Sequence, residues 1–235
     1  MSGSGRAAFF DVDETLLAGK SMLGFWRYWS TTAEGRGYAH RFETLRPLLS
    51  GGAPREEANR AYYRMFAGLP AAHFERAAQD WYETLRTGPE MVIVPVYEAL
   101  VAHRERGDLI VLVSGSPRPL LEPLARDVGA DQVVCAEQVV ADGRLTGEIG
   151  RQVIGDGKGG AASRIMARLG LAAERCWAYA DHQSDLALLQ SVGHPVVVGE
   201  DRVLTEHAVR RGWQRLPALH GPMTGQRSAP RLLVS

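Results

Sequence analysis

Apolar runs and amphipathic stretches alternate over most of the chain, and this pattern predicts strands and helices in turn. The run from Leu109 to Val113 contains no polar residue, which is typical of a strand buried on both faces of a sheet. Shorter runs of this kind lie at 7–10, 132–136, 176–180 and 195–198, and helical patterns lie at 117–128, 158–169 and 184–192. The alternation predicts an α/β fold with a doubly wound, mostly parallel sheet.

Residues 22–86 carry a different pattern, because their apolar residues recur three and four positions apart, as on one face of a helix. Glycine and proline at 51–54 and 68–70 divide this stretch into several helices. Its aromatic residues, such as Trp26 and Trp29, could line a ligand pocket, but packing between helices explains them better.

The helical stretch directly follows the first predicted strand, and this position indicates the domain organisation. We predict a helical cap at 18–88, inserted into a Rossmann-like core that is formed by residues 1–17 and 89–216. A β-hairpin with an Asp-Gly turn is predicted at 139–149. Residues 217–235 are rich in proline, glycine and serine, so we expect a loose C-terminal tail there.

The composition narrows the class of protein. The chain has 235 residues, 45% of them hydrophobic, and a formal net charge of zero, so nothing electrostatic favours nucleic acid or an anionic membrane as partner. No apolar run is long enough to span a bilayer, and the N-terminus lacks a secretory pattern. Cys135 and Cys176 lie in apolar runs, which predicts buried reduced thiols and a cytoplasmic protein.

Polar side chains follow the predicted strands at the points where the strands end. Ligands of open α/β sheets bind outside the carboxyl ends of the strands, so we expect these side chains to converge. The four elements are Asp11-Val12-Asp13, Ser114-Gly115-Ser116, the loop Gly155-Asp156-Gly157-Lys158, and Asp181 with Asp185.

The carboxylates in this set indicate a cation. Asp11 and Asp13 are two residues apart in an extended segment, so their side chains face the same side. Two carboxylates at such range do not both stay ionised cheaply without a positive charge nearby. Asp181 and Asp185 add two more, and oxygen ligands of this kind suit Mg²⁺. The alternative is that Asp13 caps a turn while Asp11 is incidental, and that Asp181 caps a helix while Asp185 faces solvent.

The second and third elements favour an anion. Ser114 and Ser116 precede a predicted helix, where they could cap its first turn or help to bind an anion at its free N–H groups. Lys158 is one of only two lysines beside 25 arginines. A cation at the start of a helix opposes the helix dipole, which is understandable if the ammonium group binds an anion there, although a surface lysine is the commoner case.

Taken together and in this order, the elements resemble the haloacid dehalogenase-like hydrolase superfamily. Asp-x-Asp-x-Thr, a strand-end serine, a lysine and Asp-x-x-x-Asp are its motifs, and a helical cap after the first motif is similar to the phosphoserine phosphatase branch. The stretches LVSGSPRPLLEPLARDVGAD, DGRLTGEI, GDGKGGAASRI and YADHQSDLALLQSVGHPVVVGEDRVL also resemble that branch. The likeness covers about residues 6 to 216.

The resemblance implies a Mg²⁺-dependent phosphatase that hydrolyses a small organic phosphomonoester. Asp11 would attack the phosphoryl group and form an aspartyl-phosphate, and Asp13 would act as general acid and then as general base. Mg²⁺ would be held by Asp11, the backbone carbonyl of Asp13 and Asp181, with Asp185 in support. The phosphoryl oxygens would be held by Ser114, the Gly115 N–H and Lys158.

The chain departs from the pattern of this branch at two positions. Lys20 stands where phosphoserine phosphatases have a glutamate that reads the substrate amino group, so we predict that phosphoserine is not the substrate. Lys20 could instead meet an anionic group or sugar hydroxyls, or be a solvated lysine. Ser184 stands where an asparagine often contacts substrate. Three cap arginines are further candidates for substrate contact, namely Arg55, Arg60 and Arg64.

Two other functions fit the same residues. The first is phosphotransfer to another alcohol, as in a mutase, which the residues do not separate from hydrolysis. The second is a receiver-like regulatory phospho-acceptor, which the long cap and the spacing of Asp11 and Asp13 disfavour. A dehalogenase is disfavoured because its chemistry needs neither the metal nor Asp13.

Overall fold

The computed structural model describes residues 5–50 and 52–224, and a seven-stranded sheet runs through the described part. Its strand order is β5-β4-β3-β1-β6-β7-β8, parallel except for the β4–β5 pair, which confirms the predicted doubly wound α/β fold. The strands are β1 (Ala7–Asp11), β2 (Val92–Ile93), β3 (Leu109–Pro117), β4 (Gln132–Ala141), β5 (Arg144–Arg151), β6 (Cys176–Ala180), β7 (His194–Val198), β8 (Gln214–Leu216) and β9 (His220–Gly221).

The helices lie between these strands. They are α1 (Ser21–Trp29), α2 (Phe42–Ser50), α3 (Arg55–Arg64), α4 (Ala71–Arg86), α5 (Val94–Glu105), α6 (Arg118–Val128), α7 (Asp156–Leu169), α8 (Leu186–Gln190) and α9 (Arg202–Arg211), with 3-10 turns at Gly35–Arg41, Ala173–Arg175 and Gln183–Asp185. Two of the helices, α5 and α9, were not predicted from the sequence. The first four helices lie between β1 and β2, as the period of the sequence predicts. None of the helices in the described ranges combines the length and the apolarity that crossing a membrane requires.

The central strand β1 fixes where a ligand can bind. It pairs with β3 on one side and with β6 on the other, so the chain reverses its direction across the sheet at β1. A crevice forms outside the carboxyl ends of the strands at such a point. Asp11 is the last residue of β1 and is in register with Val113 of β3, immediately before Ser114.

Both faces of the sheet are covered, which explains the uninterrupted apolar runs. Phe9 and its neighbours pack with Ile165 of α7 and Leu188 of α8, whereas Phe10 belongs to a second cluster with Leu100 of α5. The second cluster continues into helices α1–α4. Phe25 lies 4.9 Å from Phe74 between ring centroids, so the aromatic residues pack helix on helix, as predicted.

The predicted hairpin extends the sheet towards α3 and α4. The Gly68 N–H donates to the Leu145 carbonyl at 2.8 Å, and the Leu145 N–H donates to Leu69 at 2.9 Å. The Ala71 N–H donates to the Gly143 carbonyl at 2.9 Å. The loop between α3 and α4 is therefore fastened to the tip of the β4–β5 hairpin through the backbone.

The structure corrects several predicted boundaries. The prediction of a loose tail from residue 217 is wrong for its first part, because β9 pairs antiparallel with β2, and residues 225–235 lie outside the described residues. The strand predicted to end at Val113 continues to Pro117, so the next helix begins at Arg118. The helix predicted at 184–192 is a 3-10 turn followed by the shorter α8.

Candidate active site

Asp11 lies at the centre of the crevice and is 3% exposed. Its Oδ1 accepts hydrogen bonds from the Lys158 ammonium at 2.7 Å and from the Val12 N–H at 2.8 Å. Its Oδ2 has a weaker contact, with the Thr15 hydroxyl at 3.4 Å. Burial raises the pKa of Asp11 to about 6, against the opposing charge of Lys158. The carboxyl group is therefore still mostly ionised at neutral pH.

Lys158 reaches Asp11 from the first turn of α7. It is 5% exposed, and its Nζ also lies 2.8 Å from Asp185 Oδ1. Burial alone would lower the pKa of Lys158, but the charges of Asp11 and Asp185 outweigh burial and raise it above its usual value. The anion that this lysine meets in the structure is thus a pair of carboxylates.

Three carboxylates gather around this one cation. Oxygen atoms of Asp11, Asp181 and Asp185 lie within 4.8 Å of one another. Desolvation raises the pKa of Asp185 to about 6 and also raises that of Asp181. Asp185 Oδ2 is buried and has no hydrogen-bond partner within the described ranges. Three acidic groups against one ammonium leave excess negative charge, and the all-oxygen donor set fits a hard divalent cation such as Mg²⁺.

Asp13 belongs to a separate hydrogen-bond network. Its Oδ1 accepts from the Ser21 N–H at 2.9 Å, and its Oδ2 accepts from the Ser116 hydroxyl at 3.1 Å. The hydroxyl groups of Ser21 and Ser116 are 2.8 Å apart. Asp13 and Asp11 line the same cavity, as their spacing predicts, but the Asp13 side chain is held by the start of α1 and the end of β3.

The Ser114-Gly115 segment closes the cavity on the β3 side. Ser114 is 1% exposed, and its hydroxyl accepts from the Ser116 N–H at 3.1 Å. The Gly115 carbonyl accepts from Asn59 Nδ2 at 3.1 Å and from the Tyr63 hydroxyl at 3.2 Å. Helix α3 therefore holds the peptide between Gly115 and Ser116 in place.

The cavity has a volume of about 160 Å³ and a polar rim. At this rim Arg55 donates from a terminal guanidinium nitrogen to the Ser184 hydroxyl at 2.9 Å. Lys20 also lines the cavity, is 44% exposed at its side chain, and lies 3.3 Å from Glu14 Oε2. The rim therefore carries two positively charged side chains, Arg55 and Lys20, and each of them already contacts a partner within the protein.

A family model for haloacid dehalogenase-like hydrolases matches residues 8–190, which is most of the chain and includes all four motifs. The chain belongs to the haloacid dehalogenase-like hydrolases.

Individual members of the family are similar to this hydrolase over most of its length. It is 32% identical over 216 residues to a Mycobacterium tuberculosis protein named "Probable phosphatase", covering 88% of this chain and 73% of that protein. A phosphoserine phosphatase of the same organism is 29% identical over 225 residues, 88% of this chain and 69% of the relative. A solved structure described as a phospho-aspartyl intermediate analogue of phosphoserine phosphatase shares the fold, with a TM-score of 0.65, 18% identity and coverage of 92% and 94%. Two of these similar proteins are phosphoserine phosphatases by name, the branch that the sequence resembles.

The crevice of this hydrolase brings together most of the residues that the sequence singles out. Asp11, Asp13, the strand-end residues and the rim residues line one cavity, and two more carboxylates, Asp181 and Asp185, lie close to Asp11. Their individual roles stay predictions. Among the cap arginines, Arg60 donates to Gln152 at 3.4 Å and Arg64 is exposed, and neither lines the cavity.

The sequence does not predict the contacts that several residues of the site make. The Thr15 hydroxyl donates to Asp181 at 2.9 Å and connects the first motif to the fourth. Ser116, Asn59 and Tyr63 hold Asp13 and the Gly115 peptide. Thr15 was visible as the last residue of Asp-x-Asp-x-Thr, and Asn59 as the only asparagine of the chain. Nothing comparable marks Tyr63.

Proposed function

We propose that this hydrolase is a Mg²⁺-dependent phosphatase that cleaves small phosphomonoesters through an aspartyl-phosphate on Asp11, and that phosphoserine is not its substrate. The observation that carries the proposal is the environment of Asp11, which is a buried carboxylate beside a buried lysine at the switch point of the sheet. The names of the relatives, a phosphatase and a phosphoserine phosphatase, support the same reaction class.

In the proposed first step, an oxygen of Asp11 attacks phosphorus and the P–O bond to the leaving alcohol breaks. Oδ1 is already engaged by Lys158 and the Val12 N–H, which leaves Oδ2 as the freer oxygen. Asp13 gives its proton to the departing alkoxide oxygen. Asp13 then accepts a proton from the water that attacks the aspartyl-phosphate, and inorganic phosphate is released.

The remaining residues of the site are proposed to stabilise negative charge on Asp11 and on the phosphoryl group. The Ser114 hydroxyl and the Gly115 N–H are proposed to donate to phosphoryl oxygens, and Lys158 orients Asp11 and offsets its charge. Asp11, Asp181, Asp185 and the Asp13 carbonyl would hold Mg²⁺. When bound, the cation would neutralise the carboxylates and the developing charge on the phosphoryl group.

Helices α1–α4 are proposed to act as a cap, with the domain boundaries at 18 and 88. The cap supplies Lys20, Arg55 and one wall of the cavity, so it covers the phosphoryl group and limits the entry of bulk water. Lys20 supports the exclusion of phosphoserine, because an ammonium group at the rim repels the substrate's own ammonium group.

The experiment is phosphate release from an aryl phosphate by the parent protein and by Asp11→Asn. We expect the variant to lose release by more than 1000-fold and to keep the parent's circular dichroism spectrum. Asp142→Asn is the matched control, since it makes the same change at an exposed hairpin turn and asparagine tolerates the positive φ there. Retained activity in Asp11→Asn would reject the nucleophile.

Two further measurements complete this test. Removal of divalent cations with a chelator should stop turnover, and added Mg²⁺ should restore it. Product analysis in the presence of an added alcohol distinguishes hydrolysis from phosphotransfer, because transfer would place the phosphoryl group on that alcohol instead of releasing it as phosphate. A rate that is independent of metal would contradict the role given to the carboxylate trio.

A further inference from the structure

The cap side of the cavity is mostly apolar, and its polar residues Lys20, Arg55 and Asn59 have partners of their own. Three helices supply this apolar wall, which consists of Met22 and Leu23 of α1, Leu45 and Leu49 of α2, and Ala58 and Tyr62 of α3. Leu45 is 1% exposed, whereas Leu49 is 46% exposed at the mouth. The floor at Asp11, Asp13 and Ser114 binds the phosphoryl group in the proposed function, so the apolar wall faces the leaving alcohol.

The wall offers little to a polar leaving group. Among the described lining residues, the carboxylates are Asp11 and Asp13, both of which belong to the floor, so none is left for a substrate ammonium group. Asn59 lines the cavity, but its amide nitrogen donates to Gly115 and its oxygen accepts from Gln152 at 3.4 Å. A sugar would bury several hydroxyl groups against carbon, and each would lose its hydrogen bonds to water.

Tyr62 carries a buried polar atom without a hydrogen-bond partner, which no other described residue that lines the cavity does. The side chain is 2% exposed, and its hydroxyl has no hydrogen-bond partner within the described part of the chain. Burial, with smaller contributions from Tyr63 and Asp13, raises the pKa of the phenol well above 10, so the hydroxyl stays protonated and can donate. A buried hydroxyl without a partner is unfavourable, and an acceptor on a bound ligand would satisfy it.

We propose that the substrate is a phosphomonoester of an apolar alkyl or aryl alcohol that carries one hydrogen-bond acceptor within reach of the Tyr62 hydroxyl. This inference rests on the proposed phosphatase function and adds the class of leaving group. The apolar wall selects the carbon skeleton, and Tyr62 selects the position of the acceptor.

The first test is a homologous series of n-alkyl phosphates, from methyl to butyl, compared with glycerol phosphate and phosphoserine. We expect kcat/KM to rise roughly threefold to fourfold for each methylene group that the wall covers. Butyl phosphate should exceed glycerol phosphate at least tenfold. The exposed position of Leu49 makes Leu49→Gln a mild change to the fold, and this variant should flatten the dependence on chain length.

The second test uses Tyr62→Phe with two isosteric esters, 2-methoxyethyl phosphate and n-butyl phosphate. The parent should prefer the ether to a greater extent than the variant does, by about fivefold to tenfold in the ratio of kcat/KM values. Because the Tyr62 hydroxyl has no partner to lose, the variant should unfold at a urea concentration no lower than the parent.

The outcomes separate the two proposals. Failure to hydrolyse any ester, including an aryl phosphate, would reject the phosphatase function itself. Hydrolysis with no dependence on chain length, or with a preference for glycerol phosphate or phosphoserine, would overturn only the class of leaving group. An unchanged ether-to-alkyl ratio in Tyr62→Phe would overturn the role of the hydroxyl.

Discussion

Gly159 of α7 packs against Ala187 of α8, so Gly159→Ala tests how the position of Lys158 is set. A Cβ atom at residue 159 would lie 2.8 Å from the carbonyl carbon and oxygen of Ala187 and 3.0 Å from its Cβ. These are mostly backbone atoms, which cannot turn aside as the end of a long side chain can. Ordinary contact begins at 3.4 Å, so the helices must separate by about 0.6 Å, the difference between 3.4 and 2.8 Å.

Gly160→Ala is a matched control in the same turn of α7. A Cβ atom there would meet only the terminal guanidinium nitrogen of Arg164, at 3.3 Å, and that group can move. Both substitutions gain about 1 kcal/mol of helix propensity, so this contribution cancels when the two variants are compared. The difference between them isolates the cost of overpacking, which is about 1–3 kcal/mol.

The displacement should also reduce catalysis, because Lys158 precedes Gly159 and Asp185 precedes α8. The 2.8 Å contact between these two side chains spans the interface that must open. Misplacement by 1 Å can cost about 100-fold in rate, so we expect Gly159→Ala to lose about tenfold in kcat. Gly160→Ala should keep the parent's rate.

Urea unfolding and phosphate release from an aryl phosphate, measured on both variants, check these expectations. Equal stability and equal kcat for the two variants would refute the reasoning, since it would mean that α7 and α8 part without moving Lys158. Lower stability with full activity in Gly159→Ala would refute the coupling to catalysis alone.

Two further substitutions address hydrogen bonds of buried groups. Ser116→Ala removes a donor to Asp13, so kcat should fall by about 10-fold to 100-fold, in line with about 1.5–3 kcal/mol for a hydrogen bond to a charged group. The loss should be greater for alkyl than for aryl phosphates, because alkoxide leaving groups depend more on the acid; equal losses would count against this role. His103 contacts Asp108 at 2.8 Å and Tyr179 at 2.9 Å, and burial holds the pKa of its imidazole below 6.5. As the pH falls below 6.5, this histidine is therefore protonated more readily in the unfolded state than in the folded state. The parent should therefore lose stability on acidification relative to His103→Gln, and urea unfolding at pH 7.5 and 5.5 should show a narrowing difference; a constant difference would contradict a neutral buried imidazole.

The fold could be predicted because the burial of a strand or helix determines the pattern of apolar residues in its sequence. Strands covered on both faces read as unbroken apolar runs, and the helical insertion changes the period from strand to helix. The β2–β9 pair could not be predicted, because each of these strands has only two residues, which are too few to show a period. The sequence predicts that α7 begins at Lys158, because the glycines before it resemble a loop, but the helix begins at Asp156.

Some residues of the candidate site could likewise be predicted from the sequence, and the roles of others could not. Asp11 was found because an ionisable residue directly after a buried strand needs an explanation, and Lys158 because the chain otherwise uses arginine for positive charge. The sequence predicts that Ser116 caps a helix or helps to bind an anion, but β3 continues past it and its hydroxyl donates to Asp13. Its role depends on the exact path of the strand end, which the apolar pattern does not specify.

The neighbouring tyrosines of α3 show what a periodic pattern leaves undetermined. Both are 2% exposed and both suit a packed helix, yet the Tyr63 hydroxyl donates to the Gly115 carbonyl while the Tyr62 hydroxyl has no partner in the described ranges. The period predicts which face of a helix is buried, but the acceptor for Tyr63 is a backbone carbonyl 52 residues away. Burial of a tyrosine usually brings a partner for its hydroxyl, so the absence of one at Tyr62 is informative only once the fold is known. In the proposed function this wall faces the leaving group, so the class of alcohol is inferred from the wall and not from the motifs.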